Sequence, residues 1–203
     1  MRHIDAGYIE ALLSDGHGAS GAEFERILAK AKRLERLSLP ETAALLAVDD
    51  PSRRERIFAA AREVKRAIYG SRIVLFVPLY INNLCANDCL YCAFRSGNTL
   101  LERKTLTASQ ITDETRALLE RGHKRMLVVA GEAAPAGRDA AAYYAAAVRA
   151  VYAAAVGPHR IKRVNINCAP LPVEGYALLK ASGIGTYQIF QETYHDDTYR
   201  RVH

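Results

Sequence analysis

Three of the four cysteines crowd into one short stretch, Cys85-Ala-Asn-Asp-Cys89-Leu-Tyr-Cys92, with the spacing CxxxCxxC. Thiolates this close on one loop can converge on a single inorganic centre. Three of them suit a 4Fe-4S cluster in which one iron is left without a protein ligand. That open iron is where chemistry would take place. A structural zinc site is the alternative, but such sites usually draw on CxxC pairs and four protein ligands. The remaining cysteine, Cys168, lies far along the chain and belongs to no such pair. A disulfide scaffold does not suit a chain of 203 residues with no secretory context.

A cluster of thiols needs a rigid support. The apolar run from Ile73 to Ile81 reads as a buried strand, Ile73–Tyr80, feeding the cysteine loop. From there strands and helices alternate. Thr107-x-x-Gln110 caps a helix with Ile111, Thr115, Leu118 and Leu119 on one face. Arg125–Gly131 reads as the second strand and Asp139–Ala155 as an alanine-rich helix. Arg163–Cys168 is the third strand, and Val173–Ser182 is a helix closed by Gly183. Thr186–Glu192 is the fourth strand, and a last helix starts near His195. This alternation implies an α/β fold with parallel strands joined by right-handed crossovers. A complete barrel of eight such units takes about 250 residues, so residues 71–203 are expected to form a partial, or half, TIM-type barrel of about four βα units. The sequence therefore reads as the N-terminal half of a truncated or split protein. Residues 1–70 read as a helical lead-in, with starts at Ser20-x-x-Glu23, Ser38-Leu-Pro-Glu41 and Asp50-Pro51, and a stop at Gly70.

Composition narrows the function classes. Half of the residues are hydrophobic and 25% are charged, an ordinary globular balance. The net charge of +6 comes from charges of both signs interleaved, as in Arg53, Arg54, Glu55, Arg56 and in Arg62, Glu63, Lys65, Arg66. That is the pattern of a solvated helix face, and no aromatic residues interleave to stack on bases, so a nucleic-acid partner is not expected. No apolar stretch approaches about 20 residues, so no membrane span is expected. The N-terminus lacks the apolar core and cleavage site of a signal peptide. Free cysteines then point to a reducing, cytoplasmic setting.

In a fold of this type the working groups sit at the carboxyl ends of the strands. The cysteine loop, Ala130-Gly131-Glu132, and the ends of the third and fourth strands all fall there. Asn165 and Asn167 alternate with Val164, Ile166 and Cys168 and share one face. If that face is the barrel axis, they put polar groups where Val, Ile or Leu is usual, which favours ligand contact. The other reading is that they satisfy backbone groups beside the helices. Gln188 and Glu192 share one face of the fourth strand in the same way. Cys168 reads as a small core residue. His123 and His159 fall at the opposite end and read as surface. Arg95 could pair with a carboxylate or with a bound cofactor, or lie on the surface.

The triplet Cys85, Cys89, Cys92, with the aromatic Tyr91 just before the last cysteine, resembles the radical S-adenosylmethionine (radical SAM) superfamily. The resemblance implies a 4Fe-4S cluster on those three cysteines, with S-adenosyl-L-methionine (SAM) chelating the open iron. An electron from the reduced cluster then breaks a C–S bond and releases a 5'-deoxyadenosyl radical. Tyr91 would lie near the adenine. Ala130-Gly131-Glu132 resembles the glycine-rich motif that holds the SAM amino group, with alanine where the first glycine usually stands. Glycine would let the backbone approach the ligand, and Glu132 would accept from the ammonium. A strand-end carboxylate such as Glu192 suits the ribose hydroxyls, and Asn167 and Gln188 would be further cofactor contacts.

The stretches IVLFVPLYINNLCANDCLYCAFR (73–95), GHKRMLVVAGE (122–132), IKRVNIN (161–167) and GIGTYQIFQETYHDDTYRRVH (183–203) look like the tyrosine lyases of that superfamily. NLCANDC is shared with the branch that serves thiamine thiazole synthesis. GHKR, RVNIN and GIGTYQ favour the FeFe-hydrogenase maturase branch. The resemblance implies a carbon–carbon lyase. The radical takes a hydrogen atom from the amino group of L-tyrosine, and the Cα–Cβ bond breaks to p-cresol and dehydroglycine. In the hydrogenase branch a second cluster, on a C-terminal domain with its own cysteines, makes carbon monoxide and cyanide. The implied partners are L-tyrosine, a reductant such as ferredoxin or flavodoxin, and hydrogenase maturation proteins. The alternatives are a thiazole-synthesis tyrosine lyase of thiamine biosynthesis and a non-catalytic iron–sulfur-binding fragment.

Overall fold

In the computed structural model, residues 5–133 and 139–203 are described. The chain divides into two compact units, Met1–Ile73 and Val74–His203.

The first unit holds four helices, α1 (Ala6–Gly16), α2 (Gly21–Lys32), α3 (Leu39–Leu46) and α4 (Pro51–Tyr69). Each start is capped by an oxygen that takes an orphan amide of the first turn. The Ser20 hydroxyl accepts from Glu23 N at 3.1 Å, and the Asp50 carboxylate accepts from Arg53 N at 2.8 Å. Ser38 and Glu41 form a reciprocal capping box, whereas at Ser20 only the hydroxyl half is present. Gly70 ends α4 at φ 61°, the left-handed conformation that glycine adopts without cost. Phe24, Leu28 and Ala60 are the buried heart of this unit, with Leu45, Val48 and Ile57 packed around them. Glu41 is almost fully buried. Its carboxylate accepts from Arg26 Nη1 at 2.8 Å, Lys30 Nζ at 2.7 Å and the Ser38 amide at 2.8 Å. The hydrogen bond from Lys30, followed by those from Ser38 and Arg26, lowers its pKa from 4.5 to about 2.

The second unit runs β1 (Val77–Asn82), α5 (Ala108–Glu120), β2 (Arg125–Ala130), α6 (Ala140–Ala153), β3 (Arg163–Asn167), α7 (Val173–Ala181), β4 (Tyr187–Gln188), α8 (Asp196–Val202). The strands form one parallel sheet in the order β1-β2-β3-β4, the arrangement of a partial βα barrel. Strand alternation decides the two faces. Leu79, Ile81, Met126, Val128, Val164 and Ile166 are buried together with α6 residues such as Tyr144, Val148 and Val151. Pro78, Tyr80, Leu127, Val129, Asn165 and Asn167 alternate with them and are partly or largely exposed. Cys168 is buried in the core cluster, as its size and position suggest.

Two strands differ from the expectation. The first begins at Val77, because its register opens with Val77 opposite Met126. Ile73–Phe76 have no strand beside them and are exposed. The fourth is only Tyr187–Gln188, paired to Ile166 and Asn167. It lies at the edge, and β3 itself ends at Asn167, so residues 189–192 have no neighbour to extend the ladder.

Ile166→Ala should cost about 3 kcal/mol in urea unfolding, because it empties fully buried volume, whereas Asn165→Ala on the other face should cost about 0.5 kcal/mol. The Glu41 contribution has a definite sign with pH. Its folded pKa lies below its ordinary value, so the stabilisation is complete above about pH 4.5 and fades as pH falls toward about 2. In Glu41→Gln, acid titration of helical signal should lose the part of its pH dependence that falls in that window.

Candidate functional site

The cysteine loop leaves β1 through an irregularity. Tyr80 pairs with Val129 and Asn82 with Ala130, so Ile81 is an extra residue in the ladder. Asn82 is fully buried, and its polar atoms find partners in the two loops beside it. Its Oδ1 accepts from Leu84 N at 2.5 Å and its Nδ2 donates to Ala133 O at 2.7 Å. Its carbonyl accepts from Gly131 N at 3.0 Å. Tyr143 of α6 steadies the same point, donating from its hydroxyl toward Ile81 O at 2.9 Å and Leu106 O at 3.0 Å.

The turn after β2 is pressed against the cysteine loop. A Cβ on Gly131 would stand 2.1 Å from the Leu84 carbonyl oxygen and 3.3 Å from Cys85 Cβ. Glycine here admits the loop backbone, a tighter demand than the approach of a ligand. Ala86 N donates to Glu132 O at 3.2 Å, and Asn87 Nδ2 donates to Glu132 Oε2 at 2.7 Å. The Glu132 carboxylate is thus aimed by a residue of the loop between the first two cysteines.

These loops surround a cavity of about 830 Å³ at the carboxyl ends of the strands. Ligand pockets run from roughly 300 to 1,000 Å³. Cys85, Cys92, Gly131, Glu132, Asn167 and Glu192 are on its wall, as is Ala130. Asn167 stands on the sheet face away from the helices and donates from Nδ2 to Gln188 O at 3.0 Å. Glu192 has φ 65°, an uncommon conformation for a residue with a side chain. Three expected site residues are off the wall. Gln188 contributes its carbonyl to Asn167 instead. Cys89 is buried at 8% exposure and is not on the cavity wall, where Cys85 and Cys92 stand. Tyr91 turns toward α8, its hydroxyl 2.5 Å from His203 Nδ1 and the two rings stacked at 6.1 Å. Leu90 N donates to Val202 O at 2.8 Å and fixes that docking. Tyr199 and His203 also reach the cavity, and no spacing pattern marked them or Asn82.

Burial pushes the Cys89 thiol up, and thiolates at Cys85 and Cys92 would push it further. Tyr91 is pushed up to about 12 by burial, then by Glu192 and Cys89. Cys168, which also meets the cavity, is pushed up to about 12 by burial and stays a thiol. Among the described residues, no three Cys, His, Asp or Glu side chains gather to hold a single metal ion. A cubane takes each thiolate on a different iron, and three thiols on one loop with an adjoining cavity are a donor set that fits it.

The pattern of the Radical SAM superfamily matches residues 79–203. The 2-iminoacetate synthase of Escherichia coli (strain K12) is 33% identical over 188 residues, which cover 92% of this chain and 46% of the relative. The crystal structure of HydG, a maturase of the FeFe-hydrogenase, superposes with a TM-score of 0.90 at 40% identity, covering 98% of this chain and 44% of that one. HydG from Carboxydothermus hydrogenoformans superposes with a TM-score of 0.79 at 39% identity, covering 97% of this chain and 44% of that one. The chain spans about half the length of the relatives it matches. It belongs to the radical SAM superfamily, whose members use a 4Fe-4S cluster and SAM.

Gly131→Ala should lower thermal stability by about 3 kcal/mol, because the new methyl meets backbone that cannot swing aside. Amide exchange should quicken at Ala86, whose hydrogen bond crosses the same seam.

Proposed function

We propose that this chain is the cluster- and SAM-binding half of a radical SAM tyrosine lyase of the 2-iminoacetate synthase type, which cleaves L-tyrosine to p-cresol and dehydroglycine. The observation that carries the reading is the cavity, where Cys85 and Cys92 share one wall with Glu132, Asn167 and Glu192. The likeness to the E. coli 2-iminoacetate synthase and to HydG across nearly the whole chain supports it.

In this reading Cys85, Cys89 and Cys92 hold the cluster. With SAM bound, that centre would supply radical chemistry for removing a hydrogen atom from the tyrosine amino group; the benzylic fragment released on Cα–Cβ cleavage would take one electron from the reductant and one proton to give p-cresol. The residues of this chain bind and orient. Glu132, aimed by Asn87, accepts from the SAM ammonium, and the Gly131 backbone keeps that turn against the cysteine loop. Glu192 accepts from the ribose hydroxyls. Asn167 offers its amide at the floor of the cavity. Ala130 and Gln188 serve through the backbone, and Tyr91 braces the cysteine loop against α8. The electron would come from a ferredoxin- or flavodoxin-type reductant in a reducing cytoplasm. Hydrogenase maturation proteins are the partners this reading implies. Among the described residues no helix is long and apolar enough to cross a membrane.

A second reading, an iron–sulfur-binding piece without lyase activity, draws on the openness of the face around the cavity. Tyr80 is 55% exposed and Phe190 65%, and a face this open gives a substrate little to hold it in reacting geometry.

Anaerobic reconstitution with electron paramagnetic resonance and a p-cresol assay tests both readings. The parent chain should give a reduced 4Fe-4S signal that changes when SAM is added, together with p-cresol from L-tyrosine. Cys89→Ala should lose the signal. An unchanged signal in that variant overturns the ligand assignment. A normal signal without p-cresol selects the second reading.

A further inference from the structure

Arg103 belongs to none of the sequence motifs, yet it spans the base of the cysteine loop. Its Nη1 donates to Asn83 O at 2.8 Å and to Phe94 O at 2.7 Å. Its Nη2 donates to Arg95 O at 2.6 Å and to Asn98 O at 3.2 Å. One acceptor precedes Cys85 and the other three come after Cys92, so a single side chain ties the entry of the loop to its exit. Other bonds also cross the loop: Asn83 Nδ2 donates to Glu102 O at 2.8 Å, and Asn83 Oδ1 accepts from Lys104 N at 2.6 Å. Ser96 N donates to Asn87 O at 2.8 Å, Asn98 Nδ2 to Ala93 O at 2.9 Å, and Gly97 N to Asp88 Oδ1 at 2.9 Å.

We propose that Arg103 is a positioning residue, a clasp whose fork of donors holds Cys85, Cys89 and Cys92 in the arrangement that receives the cluster. The inference rests on the cluster-binding reading and deepens it. The chemistry asks for arginine specifically. A loop without regular structure has carbonyls that must be satisfied, and the guanidinium presents five N–H donors in one rigid plane. Its bonds are charge-assisted, and three of the four are 2.8 Å or shorter. A lysine has three donors on one nitrogen and cannot bridge two arms with the same geometry. Arg103 is half-buried and its bonds go to backbone oxygens, so it acts on the thiols through the loop rather than by touching the cluster.

The test uses Arg103→Gln and Arg103→Lys beside the parent chain, with Arg116→Gln on exposed α5 as the control. In the metal-free proteins, amide hydrogen exchange should quicken severalfold across residues 83–98 in both Arg103 variants, while β2 and α6 keep the parent's protection. After anaerobic reconstitution, both should retain iron against a chelator about tenfold less well, the scale on which residues supporting metal ligands act. The reduced signal that remains should no longer change when SAM is added. Parent-like exchange and retention in Arg103→Gln overturn the proposal. So does full rescue by Arg103→Lys, which would assign the effect to charge alone. Loss of protection through β2 and α6 in both variants would show a fold-wide role and overturn it too. A parent chain that takes up no cluster, with the loop still protected, instead overturns the cluster-binding reading, and the clasp's purpose falls with it.

Discussion

One buried asparagine holds the candidate site together. Asn82 closes β1, and its side chain and carbonyl bond the start of the cysteine loop on one side and the Gly131 turn on the other. A buried amide costs free energy unless all its hydrogen-bonding groups are satisfied, so the two loops can settle only where they meet it. The missing Cβ of Gly131 then lets the turn close on the Leu84 carbonyl. The hydrogen bond from Asn87 to Glu132 completes the seam. Thiols and carboxylate thus share one cavity because two loops share one backbone contact.

Around that seam the polarity of a parallel sheet does the rest. Every strand delivers its carboxyl end to the same rim, so loops far apart in sequence converge without a direct link. The helix side of the sheet is apolar and closed by Tyr144, Val148 and Val151 of α6. The other side carries Tyr80, Val129 and Asn167 and forms part of the cavity wall. The C-terminal helix adds a second brace, since Leu90 and Tyr91 bond to Val202 and His203. Tyr91 is drawn toward that helix, which gives the aromatic residue of the motif a structural task in addition to the one its spacing suggests.

Much of this was legible in the residues. Ser38 with Glu41 and Thr107 with Gln110 each make the reciprocal cap that the pattern announces. Val164, Ile166 and Cys168 turn inward while Asn165 and Asn167 turn away, as alternation requires. The strand ends were less legible. Ile73–Phe76 are as apolar as the residues after them, yet they lie outside the sheet, since a strand exists only where another is opposite. The shortness of β4 has the same cause. Gln188 looked like a ligand contact from its face and instead offers its carbonyl to Asn167.

Residue types and their spacing were enough to set the chemistry on offer and the class of fold. They supply three thiols at CxxxCxxC, a glycine–acid turn after the next strand, and alternating periods of two and 3.6. These are local properties, carried by neighbours in the chain and by the side chains themselves. Folding in three dimensions settled which of the marked residues meet, that Gly131 makes room for backbone, and that Asn82, Arg103 and His203 bond to the cysteine loop. Their partners are backbone carbonyls and amides, or side chains a hundred residues away, and such groups exist everywhere in a chain until folding selects a few of them.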